Sequence, residues 1–204
     1  MGKVTIDMSM SLDGFVTGPN DGPGQELGEG GMQLHEWIFG LAGWRKRHGL
    51  EGGETGPNDD IVEEAFTDVG AVVMGRRMFE LGEEPWGDDP PFHAPVFVVT
   101  HRAREPLERE GGTTFTFVTD GVESALDQAK KAAGDKNVSI AGGAETAQQL
   151  VGAGLVDEIQ FHVAPLLLGG GKRLFEELGT QVQLETTRVI DSPGVTHLRF
   201  RVVK

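Results

Sequence analysis

Three short stretches carry residue types suited to holding an anion. In Val138-Ser139-Ile140-Ala141-Gly142-Gly143-Ala144-Glu145-Thr146, an apolar run meets a glycine pair and then the opening of a helix. Glycines leave the backbone open to close approach. A helix that starts there aims unpaired N–H groups and the positive end of its dipole at the same spot. Phosphate is the usual occupant of such a place, although a tight strand-to-helix turn that binds nothing reads the same way. Met74-Gly75-Arg76-Arg77 repeats the pattern and adds two guanidinium groups, which grip phosphate through forked, charge-assisted hydrogen bonds. Thr100-His101-Arg102 adds a hydroxyl, an imidazole and a third guanidinium. Each stretch alone fits a solvated helix end; the three together favour a phosphorylated ligand.

These stretches share a purpose only if the elements before them are strands of one sheet. Ala71-Val72-Val73-Met74 and Val96-Phe97-Val98-Val99 are continuous apolar runs, as strands buried on both faces require. Val4, Ile6, Met8 and Met10 alternate with Thr5, Asp7 and Ser9, and Ile159, Phe161 and Val163 alternate with Gln160 and His162, so both segments read as strands. Phe115–Val118 is a further strand. Helices are expected over Leu34–Trp44, from a capping box at Asp60–Glu63, after Gly75 as far as Leu81, from Asp120–Glu123, after Gly143, and briefly around Leu174 and Phe175. Val182–Ile190 and Thr196–Val202 form a hairpin about Asp191-Ser192-Pro193-Gly194. The class is α/β, with a mainly parallel central sheet flanked by helices and a C-terminal antiparallel hairpin. In such a sheet ligands sit outside the carboxyl ends of the strands, where all three stretches fall. Residues 1–204 read as one domain, with a loop–helix–loop insertion over 18–58.

The totals narrow the function. A net charge of −14 over 204 residues argues against nucleic acid and against an anionic membrane surface. The absence of cysteine removes disulfides, thiol nucleophiles, thiolate zinc and iron–sulfur clusters. The six histidines include no His-x-x-x-His pair, so no metal is expected. No apolar run suggests a signal peptide or a membrane span, and a cytoplasmic protein is expected. Gly171-Lys172-Arg173 fails as a P-loop, Gly-x-Gly-x-x-Gly does not occur, and neither does a Gly-x-Ser-x-Gly elbow.

Val72-Val73-Met74-Gly75-Arg76-Arg77-Met78-Phe79-Glu80 resembles the Met-Gly-Arg-x-Thr-x-Glu segment of dihydrofolate reductases, and Ile140-Ala141-Gly142-Gly143-Ala144 resembles their Gly-Gly turn. Ser11-Leu12-Asp13-Gly14, Val156-Asp157-Glu158-Ile159 and Pro165-Leu166-Leu167-Leu168-Gly169-Gly170-Gly171 are more similar to the C-terminal reductase domain of the bifunctional riboflavin-pathway deaminase/reductase. The resemblance covers nearly the whole chain, least well over 18–58. It implies a dihydrofolate reductase-like fold, a homodimer and NADPH as reductant. Arg76 and Arg77 would take the 2′-phosphate. Thr100, His101 and Arg102 would lie near the adenosine, and Gly75 with Ala141, Gly142, Gly143, Ala144, Glu145 and Thr146 near the diphosphate. Met78 stands where the family has threonine, which removes one phosphate contact.

The resemblance implies reduction of a small heterocyclic or sugar-linked substrate, as by 5-amino-6-(5-phosphoribosylamino)uracil reductase. Dihydrofolate reductase-type activity and a non-catalytic NADP-binding module are the alternatives. Leu12, Trp37, Pro165 and Leu168 would shape the substrate pocket. The candidate acids are Asp13, which fits a turn residue equally well, and Glu36, which also fits an exposed helix charge. Trp37 and Trp44 suit either a roof over a flat heterocycle or core packing.

Overall fold

The computed structural model describes residues 2–176 and 178–204. Nine strands form one sheet, in the order β10 (Leu184–Ser192), β11 (Val195–Val202), β8 (Glu158–Ala164), β1 (Val4–Ser11), β7 (Asn137–Gly142), β3 (Val69–Gly75), β4 (Pro95–Val99), β6 (Thr114–Val118) and β5 (Leu107–Glu108). From β8 to β6 every pairing is parallel, while β10–β11, β11–β8 and β5–β6 are antiparallel. The expected parallel centre and terminal hairpin are both present. A separate pair joins β2 (Phe15–Thr17) to β9 (Lys172–Arg173). Among the described residues, no helix is long and apolar enough to cross a membrane.

The period-two pattern decides which face each strand turns to which layer. Val4, Ile6 and Met8 of β1 join Ile159 and Phe161 of β8 in the larger core, against α5 (Val122–Ala133) and α6 (Ala144–Gly152). On β3, Ala71 and Val73 enter that core, whereas Val72 and Met74 enter a second one with Phe79 of α4 (Arg76–Trp86) and Phe115. A continuous apolar run was therefore needed on β3, which has protein on both sides.

Several expected helices differ. The segment 34–44 is a 3-10 turn (Gly31–His35), α1 (Glu36–Phe39) and α2 (Ala42–Arg47). The break has a partner: Glu54 N–H donates to Gly40 O (2.8 Å) and its carbonyl accepts from Ala42 N–H (2.9 Å), so the helical ladder cannot run through Gly40. α3 (Pro57–Thr67) starts with proline in its first turn, not at an Asp60 capping box. The neighbouring Asp59 is buried and accepts from Gly43 N–H at 2.7 Å. α5 has Gly121, not Asp120, as its N-cap, and α4 runs past Leu81 to Trp86. No helix forms at Leu174: its N–H donates to Gly14 O (2.9 Å) and its carbonyl accepts from Gln148 (3.0 Å), which holds it in a bend after β9.

Candidate cofactor crevice and substrate end

The carboxyl ends of β3 and β7 are neighbours, and each leads directly into a helix. Gly75 is the N-cap of α4 and Gly143 the N-cap of α6, and neither cap bonds through a side chain. Two helix N-termini thus open side by side with backbone donors and positive dipole ends. A Cβ on Gly75 would lie 2.8 Å from Thr146 Oγ1 and 3.4 Å from Gly143 N, so glycine is what lets α6 start this close to β3. Gly142 has φ +141°, a backbone conformation open to glycine, and the Gly142–Gly143 peptide is cis. A Cβ on Gly143 would meet nothing within 4 Å, so a ligand can approach the backbone there. Ala141 to Thr146 and Gly75 therefore lie together at these two strand ends; Ala144 and Thr146 are buried and Glu145 is exposed.

The basic residues divide. Arg76 donates from Nη1 to both Glu80 oxygens (2.8 and 2.7 Å), and Arg102 Nη1 lies 3.7 Å from the same carboxylate. These two guanidiniums flank one edge of the crevice. Arg77 reaches Asp21 in the 18–31 loop, donating from Nε to its carboxylate (2.6 Å) and from Nη2 to its carbonyl oxygen (2.5 Å), while its charge also acts on Glu80 and Glu145. That contact raises the Arg77 pKa and lowers that of Asp21, and Lys172 Nζ stands 3.9 Å from the same carboxylate. Thr100 is buried, and its hydroxyl accepts from Arg102 N–H at 3.0 Å, so it shapes the turn that presents Arg102. His101 is exposed beside it.

At the carboxyl ends of β1 and β8, Asp13 anchors a loop. Its carboxylate accepts from Leu168 N–H (3.1 Å) and Gly169 N–H (2.8 Å), and its carbonyl accepts from Arg173 (2.9 Å). Hydrogen bonds from Ser11 and from the Gly169 and Leu168 amides hold the carboxyl below the usual range. An ionised, doubly bonded carboxylate has the properties of a turn residue rather than of a proton donor. Glu36 is exposed in α1, with no bond to another described residue. Leu12, Pro165 and Leu167 are exposed, and the strand end is closed by Leu12 N–H to Leu166 O at 3.0 Å. Leu168 is half-buried over Gly30.

A family model described as the RibD C-terminal domain matches residues 2–198. The chain belongs to that family. Three solved structures share its fold. A provisionally named riboflavin biosynthesis protein from Shewanella sp. PV-4 is 20% identical, with 99% of both chains covered and a TM-score of 0.70. A diaminohydroxyphosphoribosylaminopyrimidine deaminase/5-amino-6-(5-phosphoribosylamino)uracil reductase from Thermotoga maritima is 13% identical with a TM-score of 0.62; the match covers 99% of this chain and 57% of that one. A dihydrofolate reductase from Enterococcus faecalis, complexed with NADP(H), is 15% identical with a TM-score of 0.55, over 100% of this chain and 98% of that one. The fold is thus dihydrofolate reductase-like within the RibD C-terminal domain family.

This RibD C-terminal domain protein also holds a polar network on the sheet face away from α5 and α6. His162 Nε2 donates to Asp7 (2.6 Å), the Nδ1 atoms of His162 and His197 are 2.6 Å apart, and His197 Nε2 lies 3.0 Å from Asn58 Oδ1. Asn58 Oδ1 only accepts, so His197 donates to it from Nε2. Burial, then the neighbouring His162, pushes His197 down to about 4, and burial does the same to His35. Burial alone would raise Asp7, but the charge of His162 and its hydrogen bond, with Gln160, bring it below the usual range. Trp37 donates to Ser9 Oγ (3.1 Å) and packs on both imidazoles at 4.7 and 5.0 Å, which makes it a cover for this network. Trp44 stacks on His48 at 3.8 Å. The sequence signal for the network is the second period-two face: Asp7 and Ser9 on β1, Gln160 and His162 on β8, His197 and Arg199 on β11.

Proposed function

We propose that the protein is a reductase that uses NADPH to reduce a C=N or C=O carbon of a small heterocyclic or sugar-linked substrate. The observation that carries this reading is the pair of glycine-capped helix N-termini at neighbouring strand ends, flanked by Arg76 and Arg102. The residues present fit such a cofactor. The Gly143 backbone is open to approach, backbone donors are in place for a diphosphate, and two guanidiniums stand at one edge for a 2′-phosphate. Family membership supports the same direction.

When bound, the dihydronicotinamide supplies hydride; the protein's own part is placement. Gly75 and Gly142–Thr146 would hold the diphosphate, Arg76 and Arg102 the 2′-phosphate, and His101 would lie near the adenosine. Leu12, Pro165 and Leu168 would bound the substrate end and exclude water, with Asp13 fixing their loop. Glu36 is the remaining acid candidate, acting on the substrate through water.

The test is binding first and turnover second. Titration calorimetry should show NADPH binding, and Arg76→Ala should weaken NADPH by about tenfold or more while leaving NADH nearly unchanged, since one charge-assisted contact is worth roughly 1.5–3 kcal/mol. Equal losses would remove Arg76 from the 2′-phosphate role, and failure of the unmodified protein to bind either dinucleotide would sink the reading. Binding without oxidation of NADPH by any heterocyclic imine or carbonyl substrate would point to a non-catalytic module.

A further inference from the structure

We propose that Glu80 sets the cofactor preference of the crevice, and that the protein accepts NADH as well as NADPH with less than about tenfold discrimination. This rests on the nicotinamide reading above and goes beyond it. Glu80 lies one turn into α4, and both its oxygens are on Arg76 Nη1, at 2.8 and 2.7 Å. Arg102 Nη1 is 3.7 Å away from the same carboxylate. The acid thus sits between the two guanidiniums best placed for a 2′-phosphate.

Such a phosphate brings a charge of about −1.5 to −2. Bound between Arg76 and Arg102, it must either displace Glu80 from Nη1 or settle beside a carboxylate of its own sign. A ribose 2′-hydroxyl has the opposite relation: it can donate to the carboxylate, as acids at this point of dinucleotide sites do for NAD. Arg77 also acts on Glu80 through its charge, but its guanidinium is held by Asp21, and Lys172 faces the same Asp21. The sequence pattern Gly75-Arg76-Arg77 therefore overstates the positive charge at the site. Arg76 and Glu80 are both part-exposed, with side-chain exposures of 39% and 45%, so an incoming ligand can reach the pair without opening the core.

The experiment is calorimetric binding of NADPH and NADH to the unmodified protein and to Glu80→Gln, at fixed ionic strength. The amide keeps the length of the side chain and removes its charge. NADPH affinity should rise about tenfold, which is 1.4 kcal/mol, with NADH unchanged or a few-fold weaker, and Glu80→Ala should move NADPH in the same direction. A preference for NADPH above about tenfold in the unmodified protein would overturn the inference while leaving the reductase reading intact. So would a Glu80→Gln variant whose two affinities stay within twofold of the original, or one that loses NADPH affinity. An unmodified protein that binds neither dinucleotide would defeat the nicotinamide reading and this inference with it.

Discussion

Acidification from pH 7 to 5 should destabilise the protein steeply, because one buried and one half-buried histidine resist protonation. His35 and His197 are both pushed down to about 4, chiefly by burial, against an unfolded value of about 6.5. Their folded values are depressed, so as pH falls through 6.5 the unfolded chain takes up the protons first and stability falls until pH passes below about 4. At pH 5 each histidine costs about 2 kcal/mol, and the pair about 4 kcal/mol, by the linkage relation. That is a large part of the roughly 5–15 kcal/mol by which a domain is stable. At about 2–4 °C per kcal/mol for a chain of this size, Tm should drop by roughly 8–16 °C. The carboxylates with lowered values, including Asp7, Glu64 and Glu158, lose their contribution only below their ordinary range of about 4, so they do not blur this window. Circular-dichroism melts at pH 7, 6 and 5 and constant ionic strength measure the slope, and His197→Gln should remove about half of it whatever it does to the absolute Tm. A Tm that stays level between pH 7 and 5 would refute the reasoning.

Two further outcomes follow from the site. Gly75→Ala would place a Cβ 2.8 Å from Thr146 Oγ1 and 3.4 Å from Gly143 N; it should cost about 1–3 kcal/mol of stability by overpacking, read by urea denaturation, and weaken both dinucleotides together. Unaltered binding of both would show that the α4–α6 approach does not shape the crevice. Asp13→Ala removes the acceptor for the Leu168 and Gly169 amides. Hydrogen exchange at those two amides should accelerate, as expected when an amide loses its bond to a charged acceptor, and unchanged exchange would show that the loop is held by something else.

The parts of the fold legible in the sequence were those governed by local periodicity. The alternation of β1 and β8, the continuous run of β3, and the glycine pair before α6 each state their environment within a few residues. Long-range pairing decided the rest. Nothing within residues 34–44 announces that Glu54 will take the backbone groups around Gly40, and nothing near Leu174 announces Gln148. Arg76 and Arg77 are equivalent as neighbours in a string, but on a helix they point about 100° apart, and the choice between them is made by Asp21, 56 residues from Arg77. The histidine network was missed for the same reason. Its members are 155 and 35 residues apart, and each looks like an ordinary polar position on an alternating strand.

The position of β1 also has a consequence for synthesis. It is flanked by β7 and β8, with Val4 opposite Val138 and Thr5 opposite Glu158. On a ribosome moving at about 5–20 residues per second, both neighbours emerge on the order of ten seconds later. During that interval Val4, Ile6, Met8 and Met10 form an unpaired apolar strand face. The crevice lies at the end of β7, so a nascent chain lacking that strand has no Gly142–Gly143 turn at which the proposed dinucleotide could bind. Ligand binding can therefore stabilise the chain only once the late strands have been made, and before then β1 is a segment for a chaperone to shield.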